Sequence, residues 1–321
     1  MAGHRVTAVT APAPATRRDV LVGVAAGLAA WLGMAGWGLL GAALAGFGAA
    51  ATPAAVALAV GGSAGITEGM GPVAVSGSIS VLPLGVSLVG AVLLAVPLTS
   101  WHRVAGAAAV FTAGLVVLPF LPAGRLEVRF WPTVLGGLLW LAVVLGIRVA
   151  LWWQPKVRQV VTVLLGAAGL ASVVGALASV AGGARVLGTM VLAAPNLLCI
   201  ALTRGLGTPW TVRGPNLPLP TVDTGGLGPI AAPVWPLVVV SAAIAVLIAV
   251  FAGWHAPWVT ALCFGAMAVL GGAHVAFHAG FFDIDLGVSG NVLDAAGGGL
   301  LAGAAAGLLV QGVRYWHRQR T

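Results

Sequence analysis

Charge is what this chain has least of. Only 7% of its 321 residues are Asp, Glu, Lys or Arg, whereas 60% are hydrophobic. No Asp, Glu, Lys, Arg or His occurs between Asp19 and Glu68, from Val104 to Gly124, from Gln159 to Ala184, from Thr224 to Gly253, or from Ala295 to Val313. A water-soluble fold with a charged surface is excluded by that scarcity. Cysteine is nearly absent too. Cys199 and Cys263 are the only two. Neither has a CxxC partner or a histidine at metal spacing, so a disulfide framework and a zinc module are excluded, and both read as small buried hydrophobes. No HExxH helix is present, and the Gly61-Gly62-Ser63 and Thr224-Gly225-Gly226 clusters lack the lysine of a phosphate loop. Continuous apolar runs, without alternation of apolar and polar residues, argue against a membrane β-barrel.

What is present is a series of apolar runs of bilayer length. About 18 such residues in succession can cross a membrane as a helix. The predicted fold is an all-α integral membrane protein, a polytopic helix bundle. Its eight transmembrane helices fall at about 20–45, 81–100, 104–121, 132–151, 160–182, 233–252, 257–278 and 291–312. Two further stretches read as short broken or re-entrant segments. One, about 52–62, is too short to cross. The other, about 186–206, is interrupted by Pro195-Asn196, where proline removes a helix donor and Asn adds a polar group. The 48 glycines suit helices packed backbone to backbone.

Three regions follow: a disordered cytoplasmic N-terminus at 1–17, a first membrane half at 18–155 and a second at 156–321. The halves share a plan of basic start, span, broken segment, loop and three further spans, which predicts two parallel repeats related by rotation about the membrane normal. The formal net charge is +8, carried by fourteen arginines and Lys156. These sit at the ends of apolar runs, where the positive-inside rule and anionic lipids account for them, and no basic patch with interleaved aromatics suggests nucleic acid. The rule places both termini in the cytoplasm and makes the lipid bilayer of the cell membrane the first partner. Glu68 and six acidic groups in all then avoid the cytoplasmic side, with Asp19 the exception.

Two strings carry a family resemblance. Ser80-Val81-Leu82-Pro83-Leu84-Gly85-Val86-Ser87-Leu88-Val89-Gly90 follows a Gly/Ser-rich stretch, and Leu192-Ala193-Ala194-Pro195-Asn196-Leu197 runs on to Gly207-Thr208-Pro209-Trp210. They resemble the actinobacterial streptophobe family of highly hydrophobic membrane proteins. More distantly they resemble PerM-like cell-division membrane proteins. The resemblance covers about 50–100 and 185–240 in motif detail. It implies a supporting role at the envelope or division machinery, with other membrane proteins as partners, and no catalysis.

Candidate chemistry is sparse. His274 and His278, four apart on the predicted seventh helix, precede Asp283, Asp285 and Asp294. Such groups on one membrane side could hold a divalent metal or relay protons, or could simply be a solvated helix end. Pro195 and Asn196 could form a substrate or ion site at a broken helix, or a packing kink. Arg204 and Arg213 could hold an anion or act as interfacial anchors. Ser76, Ser78 and Ser80 have no histidine or acid nearby in sequence, so no catalytic residue or cofactor is predicted. Two functions remain open: a non-catalytic envelope scaffold or accessory factor, and a transporter or channel-like protein. A wet polar cavity at Asn196 would favour the second.

Overall fold

The computed structural model describes residues 17–70, 73–213, 235–279 and 282–320. The expected N-terminal segment and most of the 206–232 loop lie outside them. Among the described residues ten α-helices run in chain order: α1 (Arg17–Ala45), α2 (Thr52–Ala59), α3 (Leu84–Ala95), α4 (Trp101–Val117), α5 (Phe130–Trp153), α6 (Pro155–Ser179), α7 (Ala184–Gly205), α8 (Trp235–Ala252), α9 (Ala256–Leu270) and α10 (Val292–Arg320). Seven helical segments among the described residues are long and apolar enough to cross a membrane. The chain is a multi-pass helical membrane protein. One of the seven, Trp235–Leu270, turns at Gly253, whose φ of 60° suits glycine, and becomes α8 and α9.

The bundle is not the whole fold. Six antiparallel strands form one sheet: β1 (Ala64–Met70), β2 (Val73–Val81), β3 (Leu126–Val128), β4 (Trp210–Arg213), β5 (Ala273–Ala279) and β6 (Phe282–Gly290), in the order β3-β1-β2-β5-β6-β4. The expected helix bundle is present, and the structure adds to it a sheet that the sequence reading did not include. The seventh predicted span, 257–278, stops being helical at Leu270. Gly271-Gly272 ends the helix, and Ala-His-Val-Ala-Phe-His-Ala then alternates with the period of a strand. The register separates two faces. Ser76, Ser78, Ser80, His274, Asp285 and Ser289 fall on one, and Ile79, Val275, Phe277, Leu286 and Val288 on the other. The strands root in helix ends: β2 leads into α3, β5 continues from α9, and β6 leads into α10.

α7 corrects a second expectation. It is continuous through Pro195, not broken. Proline at 195 cannot donate to the carbonyl of residue 191. That carbonyl instead accepts from the Trp37 indole, Nε1 to Val191 O 3.1 Å. The helix also does not run from one end of the bundle to the other. A methyl group on its Gly188 would strike the main chain of Leu44 and Ala45 at the end of α1. Gly85, at the start of α3, leaves no such room against Val191, and Gly205 none against Leu237 near the start of α8. Ser241 Oγ donates to Leu202 O at 2.8 Å. α7, about 33 Å long at 1.5 Å per residue, therefore passes obliquely across the sheet-side ends of its neighbours, and both of its own ends lie on that side.

Two hydrophobic cores flank it. The first joins Met34, Val60, Val86, Leu94, Phe111 and Leu141 from α1–α5. A stack of Trp31, Phe111 and Trp140 runs through it, with centroid separations of 4.8 and 5.0 Å. The second joins Val160, Leu202, Ile248, Ala256, Phe264 and Val310 from α6–α10. The halves do not repeat each other simply. The long hairpin β1–β2 sits between α2 and α3, whereas β5–β6 sits between α9 and α10. α1 packs on α3, α4 and α7, whereas α6 packs on α5, α7 and α8. The eight-residue α2 has no overlay with the 22-residue α7. The parallel repeat suggested by similar hydropathy gives way to halves that differ in strand placement and packing. Helices rich in Gly and Ala resemble one another regardless of ancestry, which is why hydropathy suggested it.

Candidate functional site

Two polar groupings remain inside or above this frame. The first is at Asn196, buried in α7 beneath the sheet. Its amide reaches three main-chain groups of other elements. Leu84 N–H donates to Oδ1 at 3.0 Å, and Nδ2 donates to Leu82 O at 2.7 Å and to Leu270 O at 3.0 Å. Leu82 and Leu84 bracket the passage from β2 into α3, and Leu270 ends α9 just before β5. One side chain thus holds the roots of both long hairpins. In a medium without water, each of those main-chain groups would otherwise be costly. Thr203 Oγ1 nearby accepts from Trp210 Nε1 at 3.0 Å, fixing the passage from α7 to β4. The amide expected as a transport-site candidate is consumed by structure, and Pro195 is buried beside it.

The second grouping is on the polar face of the sheet. His274 Nε2 lies 2.8 Å from Asp285 Oδ1, with both side chains about half exposed (49% and 48%). The pairing is diagonal across β5 and β6, since His274 stands opposite Gly287 and Asp285 opposite Ala276. In the strand register His278 stands opposite Asp283. The helical His274–His278 pair does not form, because both residues are in β5. Four residues span about 13 Å on a strand, against about 6 Å on a helix. Asp294 is in the first turn of α10, where the helix dipole favours it, after an Asn291 side chain that accepts from Leu293 N and Asp294 N. Among the described residues, no three His, Cys, Asp or Glu side chains gather as metal ligands. Glu68 and Arg213 are placed in β1 and β4, and Arg204 in the last turn of α7.

Strand pairing also brings together what the sequence kept 194 positions apart. Ser80 stands directly opposite His274, and with Gly287 and Ser289 they line a shallow cleft of about 370 Å³ at the foot of the sheet. Among the described residues no hydrogen bond joins Ser80 to His274. The alternation Phe-Asp-Ile-Asp-Leu-Gly-Val-Ser-Gly at 282–290 is the sequence signal that could have revealed this face.

No family model, curated protein or solved structure matches the chain.

Proposed function

We propose that this is a non-catalytic scaffold or accessory protein of a bacterial cell envelope, in keeping with its resemblance to actinobacterial membrane proteins. The membrane-spanning helices carry the sheet on the outer face, and α7 lies at the outer boundary. Charge supports that orientation. The end away from the sheet carries Arg17, Arg18, Arg103, Arg148, Lys156, Arg158, Arg314, Arg318 and Arg320, whereas the sheet end carries Arg125, Arg129, Arg185, Arg204 and Arg213. Nine against five among the described residues supports a cytoplasmic first end. The observation that carries the scaffold reading over transport is Asn196. Asn196 spends both of its N–H donors and one of its two acceptor lone pairs on three main-chain partners, which leaves it little coordination to offer a passing solute. The sheet instead offers a broad polar face to whatever lies outside.

The orientation is tested by replacing Ser289 and Gln154 singly with cysteine in intact cells. A membrane-impermeant thiol reagent is expected to label position 289 and spare 154, and the reverse pattern would sink the orientation. The scaffold reading is tested by a photo-crosslinking residue at Ser76 or Thr211, both exposed on the polar face. A discrete envelope-protein adduct is the expected result. An adduct-free face, together with solute uptake by reconstituted protein, would favour the transporter.

A further inference from the structure

The bundle end away from the sheet has an imbalance of charge concentrated in its second half. Lys156 and Arg158 begin α6, and Arg314, Arg318 and Arg320 end α10. No acidic residue of the described second half accompanies them. Asp283 and Asp285 are in β6, and Asp294 is at the sheet end of α10. Asp19, at the start of α1, is the acid at this end, and it lies 2.8 Å from Arg103 in the first half. Positive charge therefore collects around the end of α8, with no carboxylate of the described second half to balance it. Arg314 Nη2 donates to Val250 O at 2.9 Å.

A cleft of about 440 Å³ opens at that place, between the first turns of α6 and the end of α8. Arg158, Gln159 and Thr162 line it, with Pro155, Val163 and Phe251. The α6 residues are spaced three and four apart, so they share one helix face. Thr162 Oγ1 is already used, donating to Arg158 O at 2.9 Å. The guanidinium of Arg158 and the amide of Gln159 supply the donors, and Val163 and Phe251 supply an apolar wall. A charged mouth beside an apolar wall, at the level of the cytoplasmic helix ends, matches the boundary between a lipid headgroup and its acyl chain. A planar guanidinium with several N–H donors suits a phosphate better than a point charge does.

We propose that this cleft binds the phosphate of an anionic phospholipid headgroup, with Arg158 as its main cationic contact, Gln159 as a second donor, and the acyl chain against Val163 and Phe251. The proposal rests on the membrane reading and is independent of whether the sheet recruits a partner. The test uses the full-length protein purified in detergent and titrated with phosphatidylglycerol, phosphatidylcholine or inorganic phosphate, read by thermal shift and by native mass spectrometry. Phosphatidylglycerol is expected to bind and stabilise, and phosphatidylcholine is not. Arg158→Gln should weaken phosphatidylglycerol binding about fivefold, the worth of one cation at a membrane surface. Arg158→Lys should lose less. Arg318→Gln removes the same charge from the same end but outside the cleft, and it should leave binding within about twofold. Equal losses in Arg158→Gln and Arg318→Gln would mean diffuse attraction and overturn the site. Equal stabilisation by phosphatidylcholine would overturn it as well. Protection by inorganic phosphate that matches the lipid would reassign the cleft to a free anion and overturn the lipid.

Discussion

A side-chain amide carries two donors and two acceptor lone pairs, and Asn196 commits most of them to main-chain groups far away in sequence. Asn196→Leu keeps the number of side-chain heavy atoms and the branch at Cγ but orphans Leu84 N–H and two carbonyls. About 2–4 kcal/mol of stability should be lost, read as a lower melting temperature in detergent. Asn196→Asp should be worse than Leu, because a carboxylate would face the carbonyl oxygens of Leu82 and Leu270. An equal or smaller loss for Asp would show that the amide is not the clamp described. The same logic applies to Trp37. Its indole N–H satisfies the carbonyl that Pro195 leaves free, so Trp37→Phe should cost about 1–2 kcal/mol by the same measurement. Pro195-Asn196 was legible in the sequence as a polar interruption of an apolar run. Its purpose was not, because Trp37, Leu82 and Leu270 become its neighbours only on folding.

Elements were unevenly legible. The long apolar runs of α1, α4, α5, α6, α8 and α10 announce themselves by length, since nothing else accommodates twenty uncharged residues. The strands did not, although β2 reads Val-Ala-Val-Ser-Gly-Ser-Ile-Ser-Val with period two. In a chain this apolar, both faces of such a segment pass for part of a span, and hydropathy averages over the alternation that distinguishes them. α7 was half legible. Its composition allows a crossing, and only its contacts show that it starts and ends on one side. Those contacts can be tested where the approach is closest. Gly188→Val would press on the main chain at the end of α1, which cannot yield like a side-chain tip. A loss of about 1–3 kcal/mol is expected. Gly169→Val on α6 meets open space and should stay within about 0.5 kcal/mol. Similar melting points for the two variants would remove α7 from the place given to it.

At the scale of the molecule, two cores are joined along the chain only by the turn at Gln154, between α5 and α6. They are joined in space by β2 on β5 and by α7 against α1 and α3. Residues 1–154 and 155–321 made as separate chains in one cell should therefore co-purify, and disrupting the β2–β5 pairing should weaken their association. The pairing has a further consequence, in time. Ala273 emerges from the ribosome 192 residues after Val81, its partner (273 − 81). At about 5–20 residues per second, that is roughly 10–40 s. Until then the edge of β2 that β5 will occupy has no strand of the second half to pair with. An unpaired strand edge is a template for the wrong partner. The serines that alternate along β2 keep that waiting edge polar on one face, and so the same residues that surface the finished sheet also guard it while it is half made.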